Sequence, residues 1–133
     1  MHPFRRAVEA HDLDAIPGLL AEDVTFISPV AFQPYHGRIL VAAILRGADR
    51  AFEGLHYVRE INSPDGVDHA LMFKARVGDR DVHGCDFLHH GADGLIEEFC
   101  VMVRPLSGAH ALAEEMARQF EIIQREVAGQ QPI

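Results

Sequence analysis

The chain has 133 residues and a formal net charge of −8, with 48% hydrophobic and 24% charged residues. This length fits one domain, residues 1–133, with a full hydrophobic core. The acidity argues against nucleic acid or a membrane surface as the partner, because no cluster of Lys and Arg is present. With two cysteines, no apolar run of membrane-spanning length and no secretion signal, we expect a cytoplasmic protein.

The order of the predicted elements indicates an α+β fold. Apolar spacing predicts helices over 4–10 and 15–21, a strand over 23–30, a loop over 32–37 and a third helix over 38–52. Turn residues then separate strands over 55–62, 67–77, 81–90 and 95–104, and Ser107 begins a last helix. Helices that cover one face of a curved, mainly antiparallel sheet give this fold class.

One carboxylate lies in the middle of the predicted strand 81–90. Because strand residues alternate between faces, Asp86 shares its face with Val82, Gly84 and Leu88. A carboxylate among apolar neighbours is costly unless it is hydrogen-bonded or protonated, and desolvation raises its pKa. Asp86 is therefore the candidate acid, base or ligand-binding group. The alternative is a structural carboxylate that a nearby Ser, Tyr or His satisfies.

The same alternation predicts an apolar pocket around Asp86. Such a wall suits a small hydrophobic molecule with a carbonyl or hydroxyl group and requires no cofactor. The predicted lining residues are Phe73, Ala75, Val77, Val82, Gly84, Leu88, Phe99, Val101 and Val103, with Phe4, Leu20, Phe26 and Ser28 as further candidates. Tyr35 and His36 are expected near the mouth, where His36 could move a proton, but an exposed loop pair is the favoured interpretation. Only one of His56 and Tyr57 can point inward.

The two cysteines face away from this pocket. If Gly91–Gly94 forms the turn, the opposed pairs are His90–Leu95, Cys85–Cys100 and Asp86–Phe99. His83 would share the face of the cysteines, but three ligands at this spacing match no zinc pattern, so no metal site is predicted. We expect free cysteines in a reducing compartment.

The outer face of the predicted sheet mixes apolar and polar side chains. It holds Met72, Lys74, Cys85, Phe87, His89, Glu98, Cys100 and Met102. This composition is typical of a subunit interface, so we expect a homodimer through this face. The last helix could instead cover part of the face, or it could cap the pocket.

Three stretches resemble the nuclear transport factor two-like superfamily, within it the SnoaL-like and ketosteroid-isomerase-like branch. They are Val8-Glu9-Ala10-His11-Asp12-Leu13-Asp14-Ala15-Ile16 followed by Ala21-Glu22-Asp23-Val24, then Ser28-Pro29-Val30 through Pro34 to Gly37, then Asp86 with Gly94 and Ile96. The resemblance implies a cone-shaped half barrel. Helices close its concave side into a ligand pocket, and many members form dimers through the convex side.

The resemblance also implies which residues matter. The isomerase relatives use a Tyr, an Asp base and a protonated Asp, and the matching positions here hold Phe4, Ser28 and Asp86. Epoxide-hydrolase relatives need an Arg where this chain has Gly84. Polyketide-cyclase relatives rely largely on one acid/base, which Asp86 resembles.

Two functions from different classes stay open at this point. One is a cofactor-free isomerase, cyclase or lyase that uses Asp86. The other is a non-catalytic ligand-sensing or dimerisation module that has lost the isomerase Tyr and Asp, and in its extreme form its pocket is filled by side chains.

Overall fold

The computed structural model of the protein describes residues 1–130 and confirms the α+β fold. The helices are α1 (Pro3–Glu9), α2 (Arg38–Ala51) and α3 (Leu106–Gln130), and two 3-10 turns span Leu13–Ala15 and Pro17–Leu19. The strands are β1 (Leu20–Ile27), β2 (Tyr35–His36), β3 (Glu53–Asn62), β4 (Asp68–Val77), β5 (Arg80–His90) and β6 (Ile96–Arg104). The last three residues of the predicted domain lie outside the described part.

The six strands form one sheet in the order β2-β1-β6-β5-β4-β3. Strands β1 and β6 are parallel, and every other neighbouring pair is antiparallel. Register shifts interrupt the β1–β6, β3–β4 and β5–β6 pairs, and such irregularities bend strands. The hydrophobic core lies between the inner face of this sheet and the helices.

The predicted helix over 15–21 is wrong. The chain forms the two 3-10 turns there, and β1 begins at Leu20, three residues before the predicted strand start at residue 23. Leu20 is fully buried and pairs with Ile96, while its carbonyl oxygen accepts a hydrogen bond from Arg38 Nε at 3.0 Å. Tertiary pairing therefore outweighs the local helix signal. Two residues of the predicted loop over 32–37 also pair, as strand β2.

The predicted register of the β5–β6 hairpin is wrong as well. His90 lies opposite Ile96 instead of Leu95, and a bulge between His89 and His90 shifts the remaining pairs by one more residue. Asp86 then pairs with Val101 and Cys85 with Met102. A bulge adds one residue to one strand, and turn residues alone do not reveal it.

Helix α1 is fastened at its N-terminal end by side chains. His2 is the N-cap, and its Nδ1 accepts a hydrogen bond from the Phe4 N–H at 3.0 Å. Pro3 follows at the first helical position, where a missing N–H costs nothing. The Arg5 guanidinium donates to Glu60 on β3 at 3.4 Å, which ties the helix to the sheet.

Helices α2 and α3 pack against each other at close range. A β-carbon at Gly47 of α2 would lie 2.8 Å from Ile123 Cδ1 of α3, so this glycine permits the contact. Arg50 donates to Gln119 at 2.7 Å and to Glu126 at 3.1 Å, which fixes the pair at its edge. Among residues 1–130, no helix is both long and apolar enough to cross a membrane.

Candidate functional site

A cavity of about 260 Å³ lies between the inner sheet face and the three helices. Most of its wall is apolar, and its hydroxyl and carboxyl groups belong to Ser28, Tyr35, Asp49, Tyr57 and Asp86. The volume is near the lower end of ligand pockets. The geometry therefore suits a small, largely apolar molecule that makes few polar contacts.

The structure brings eight of the predicted site residues together at this cavity. They are Phe4, Phe26, Ser28, Tyr35, Phe73, Asp86, Phe99 and Val101. Phe99 lies at the centre of this group, with its ring centroid 4.9 Å from Phe4 and 5.6 Å from Phe26. Phe4, Phe99 and Phe26 thus form a continuous run of aromatic rings in the cavity wall.

The other predicted lining residues do not reach the cavity. They are Leu20, His36, Ala75, Val77, Val82, Gly84, Leu88 and Val103. The inner face continues past the cavity into solid core, where the first turn of α3 covers it: a β-carbon at Gly108 would overlap Val82. Gly84 lies beneath the Phe73 ring, and His36 is exposed, with its Nδ1 3.2 Å from Thr25 Oγ1. Alternation identifies a face but not how much of it stays open.

Asp86 is 6% exposed, and its carboxyl Oδ2 accepts a hydrogen bond from the Tyr57 hydroxyl over 2.9 Å. In residues 1–130, no other hydrogen-bond donor contacts this carboxyl group. Every fully buried side-chain nitrogen and oxygen of that part of the chain has a partner. The second oxygen, Oδ1, has no such partner, so it is not fully buried and is accessible from the cavity that Asp86 lines.

Burial decides the proton affinity of this pair. Desolvation raises the pKa of Asp86 to about 7, and the Tyr57 hydrogen bond opposes that rise. The pKa of Tyr57 is itself raised far above its ordinary value by burial and then by the charge of Asp86, so Tyr57 keeps its proton. Near neutral pH, Asp86 can therefore both take up and release a proton.

Tyr57 is the functional residue that the sequence left undecided. Strand β3 alternates Leu55 and Tyr57 inward, and both line the cavity, whereas His56 is exposed. The Tyr57 ring lies under the Arg5 guanidinium, whose carbon is 5.8 Å from the ring centroid. The alternation of Leu55 and Tyr57 is the signal that could have identified it.

Ser28 lies just past the end of β1, at the cavity wall. Its Oγ accepts hydrogen bonds from the N–H groups of Val30 and Ala31 at 3.1 and 3.2 Å. The hydroxyl proton is then directed away from these two donors. Ser28 thus closes a local turn and keeps a donor for a ligand oxygen.

The last helix closes the cavity, one of the roles that the sequence left open. Residues Leu112, Met116 and Phe120 of α3 line it, and the Phe120 ring packs on Tyr35 with centroids 5.6 Å apart. Periodicity predicts this apolar stripe on α3 but not the surface on which it packs.

His83, Cys85 and Cys100 do not assemble into a metal-binding group within the described residues. His83 Nδ1 lies 3.0 Å from an Arg104 guanidinium nitrogen, and both cysteines are free. Burial raises the pKa of both thiols, because a thiolate is poorly solvated there.

The family model described as a SnoaL-like domain matches residues 2–99. The chain belongs to the SnoaL-like family. This finding confirms the resemblance drawn from the sequence. Among curated proteins there is no significant match.

Solved structures agree with this assignment. A protein from Pseudomonas aeruginosa described as a steroid delta-isomerase is 40% identical, with a TM-score of 0.86 over 92% of this chain and 89% of that one. An uncharacterised Silicibacter pomeroyi protein with a cystatin-like fold is 33% identical, with a TM-score of 0.87 over 96% and 92%. A Pseudomonas putida protein provisionally described as a polyketide cyclase shares the fold at 19% identity and a TM-score of 0.65, over 79% and 88%.

Proposed function

We propose that this SnoaL-like protein is a cofactor-free isomerase that moves a proton on a small, mostly apolar carbonyl compound. The observation that carries the proposal is the Asp86 carboxyl group. It is buried at the wall of an apolar cavity, one oxygen is held by Tyr57, and the other is open to the cavity. The similarity to the steroid delta-isomerase of P. aeruginosa supports the reaction class.

In the proposed reaction, the Asp86 carboxylate removes a proton from a carbon next to the carbonyl group. The electron pair of the broken C–H bond moves onto the carbonyl oxygen as an enolate. Protonated Asp86 then returns the proton to another carbon of the conjugated system, which restores the carbonyl and the carboxylate. A base works best when its pKa is near the working pH, and the pKa of about 7 meets that condition.

Ser28 is the proposed donor to the enolate oxygen. Two backbone N–H groups already donate to its Oγ, which orients its own proton away from them. Such a preorganised donor stabilises a developing oxyanion. Ser28 stands where the isomerase relatives have their base, but in this arrangement it supplies only a hydrogen bond. The base is Asp86.

Solvent exchange tests the proposal directly. Small cyclic ketones and enones are incubated with the protein in D₂O, and deuterium uptake next to the carbonyl is followed by NMR. We expect uptake with the wild-type chain, a loss of about 100-fold or more in Asp86→Asn, and an intermediate loss in Ser28→Ala. His36→Gln is the matched control, because His36 lies outside the cavity. Equal uptake by wild type and Asp86→Asn would end the proposal.

A ligand-sensing module is the second candidate, and the Phe4 and Ser28 positions favour it. Phe4 lacks the hydroxyl donor of the isomerase Tyr, and Ser28 lacks the basicity of the isomerase Asp. Native mass spectrometry of the freshly purified protein separates the two functions. A bound metabolite that exchanges no hydrogen with solvent, in wild type and Asp86→Asn alike, supports sensing.

We also infer that a second copy of this chain covers the outer sheet face. Phe87 is 41% exposed and Met102 is 60% exposed on that face, beside the half-buried Cys85 and Cys100. Apolar side chains surrounded by polar ones are typical of subunit interfaces. Light scattering at micromolar concentration should give a dimer mass for wild type and a monomer mass for Phe87→Glu. A monomeric wild type contradicts the inference.

A further inference from the structure

Three histidines from separate segments meet at the N-terminal end of α1. They are His2 at the helix N-cap, His69 near the start of β4 and His90 at the end of β5. Their ring centroids lie 4.6, 5.0 and 5.1 Å apart, and one ring nitrogen of each lies within 4.8 Å of the others. None of the three lines the cavity that holds Asp86.

We propose that His2, His69 and His90 form a binding site for a divalent transition metal such as Zn²⁺, Ni²⁺ or Cu²⁺. The site fastens α1 to strands β4 and β5. Nitrogen donors alone favour these ions over Mg²⁺ and Ca²⁺, which prefer oxygen. Three protein ligands leave the remaining coordination positions to water.

The distances require only small side-chain movements. His2 Nε2 and His90 Nε2 are 2.8 Å apart. Imidazole nitrogens about 2.0–2.1 Å from a tetrahedral metal are separated by about 3.3 Å. A bound metal would therefore move the His2 and His90 nitrogens slightly apart and draw the His69 ring closer.

Groups outside the rings already orient two of the three ligands. His90 Nδ1 donates to the Gly94 carbonyl oxygen at 2.7 Å, which leaves Nε2 as the free acceptor nitrogen. His69 lies between the Asn62 amide oxygen and the Gly66 carbonyl oxygen, at 2.6 and 2.9 Å. It keeps one of these hydrogen bonds when the other nitrogen binds a metal, as metal-binding histidines usually do.

His2 couples the metal to the helix. Its Nδ1 accepts the Phe4 N–H, so Nε2 carries the proton that the ring shares with His90. A metal at Nε2 requires the neutral ring to carry its proton on Nδ1 instead. Nδ1 then no longer accepts the Phe4 N–H, so His2 exchanges its role as helix cap for that of a metal ligand. Protons compete with the metal for the ring nitrogens, so metal binding should weaken as the pH falls.

The Glu60 carboxylate lies beside the cluster, but the Met1 amino group and Arg5 already match its charge, so metal affinity rests on the imidazole nitrogens. The Glu60 carboxylate accepts the His2 backbone N–H at 3.0 Å and lies 4.0 Å from the amino group of Met1. Because Phe4 follows two residues later and lines the cavity, a metal here would brace the helix that closes the proposed active site. None of the three histidine side chains lines the cavity, so the proposed role of the metal is structural.

Metal titration of the tag-free chain tests the site. Zn²⁺ is added in competition with a coloured chelator, and Co²⁺ is added while its visible d–d absorption is recorded. We expect one equivalent bound with a Kd of about 10 µM or tighter, and a loss of affinity of at least about tenfold in His69→Gln and in His90→Gln. His89→Gln is the matched control, because His89 is the neighbour of His90 on β5 and is partnered by Asp68 instead.

Thermal unfolding supplies the second readout. Saturating Zn²⁺ should raise the Tm of wild type and of His89→Gln but not that of His69→Gln or His90→Gln. Circular dichroism without metal checks that each variant folds. The absence of stoichiometric binding below about 100 µM in wild type overturns the proposal. So does a loss of binding in His89→Gln equal to that in His90→Gln.

Discussion

Two carboxylates of this protein, Asp86 and Glu60, are both largely removed from solvent, but their pKa values move in opposite directions. Asp86 is 6% exposed and has one hydrogen-bond donor, Tyr57, and its pKa rises to about 7. The Glu60 side chain is 10% exposed. Desolvation also acts on Glu60, but donors from Asn62 and the His2 N–H, with Arg5, outweigh it and hold its pKa below the ordinary value.

The comparison shows that partners, more than burial, decide what a buried carboxylate does. Glu60 has its charge matched by donors on α1 and β3, so it fastens the two elements together. Asp86 retains an oxygen without a partner, so it is costly to ionise and free to act on a ligand. On the same sheet, Glu60 therefore has a structural role, whereas Asp86 is placed for a chemical one.

The largest expected effect is on stability, in Asp86→Asn. Between about pH 4 and 7 the unfolded chain ionises this carboxyl group while the folded chain keeps its proton, so stability falls as the pH rises through that window. Above pH 7 both states are ionised and the penalty stays constant. Asparagine carries no charge, so relative to wild type the variant should gain about 2–4 kcal/mol from pH 4 to pH 8.

Urea unfolding of both proteins at pH 4, 6 and 8 measures this gain. Asparagine can still accept the Tyr57 hydroxyl hydrogen bond, which keeps the local shape. A stability difference that is the same at all three pH values would show that the Asp86 pKa is ordinary.

Gly84→Ala should have the next largest effect, through packing beside Asp86. A β-carbon at Gly84 overlaps the Phe73 ring, which is already held against Phe52 and Tyr57. The ring must move into the cavity, at a cost of about 1–3 kcal/mol in the free energy of unfolding. The stability against denaturant and the binding of a small ketone should both decrease. Gly129→Ala is the control, because a β-carbon there meets no neighbouring atom.

Tyr57→Phe removes the hydroxyl group that donates to Asp86. The hydroxyl group favours the carboxylate, so its loss should raise the pKa of Asp86 further. Carboxyl ¹³C NMR titration measures the pKa, and the pH dependence of proton exchange should move upward with it. An unmoved pKa would mean that burial alone sets the proton affinity.

Glu60→Gln should give the smallest change. Its partners Arg5 and Met1 remain partly exposed, so the loss should be about 1 kcal/mol or less at neutral pH. The pKa of Glu60 is depressed in the folded chain, so its contribution exists above its ordinary pKa and disappears as the pH falls through the folded value. Unfolding at pH 7 and pH 3 tests this, and an equal loss at both would exclude the ionic explanation.

Sequence patterns alone were sufficient to predict the α+β fold, the family and the inward position of Asp86. Period-two alternation on strand β5 and the apolar stripes of α2 and α3 are local signals, and burial follows them directly. The identity of the buried acid therefore needed no coordinates.

Only the tertiary structure decided which inward residues stay open to a ligand and which partners they meet. Tyr57 reaches Asp86 across the sheet, Phe73 covers Gly84, and α3 forms part of the cavity wall. The bulge at His89 and His90 also set a register that turn residues did not reveal. These features depend on contacts between residues far apart in the chain, and such contacts leave no periodic trace in the sequence.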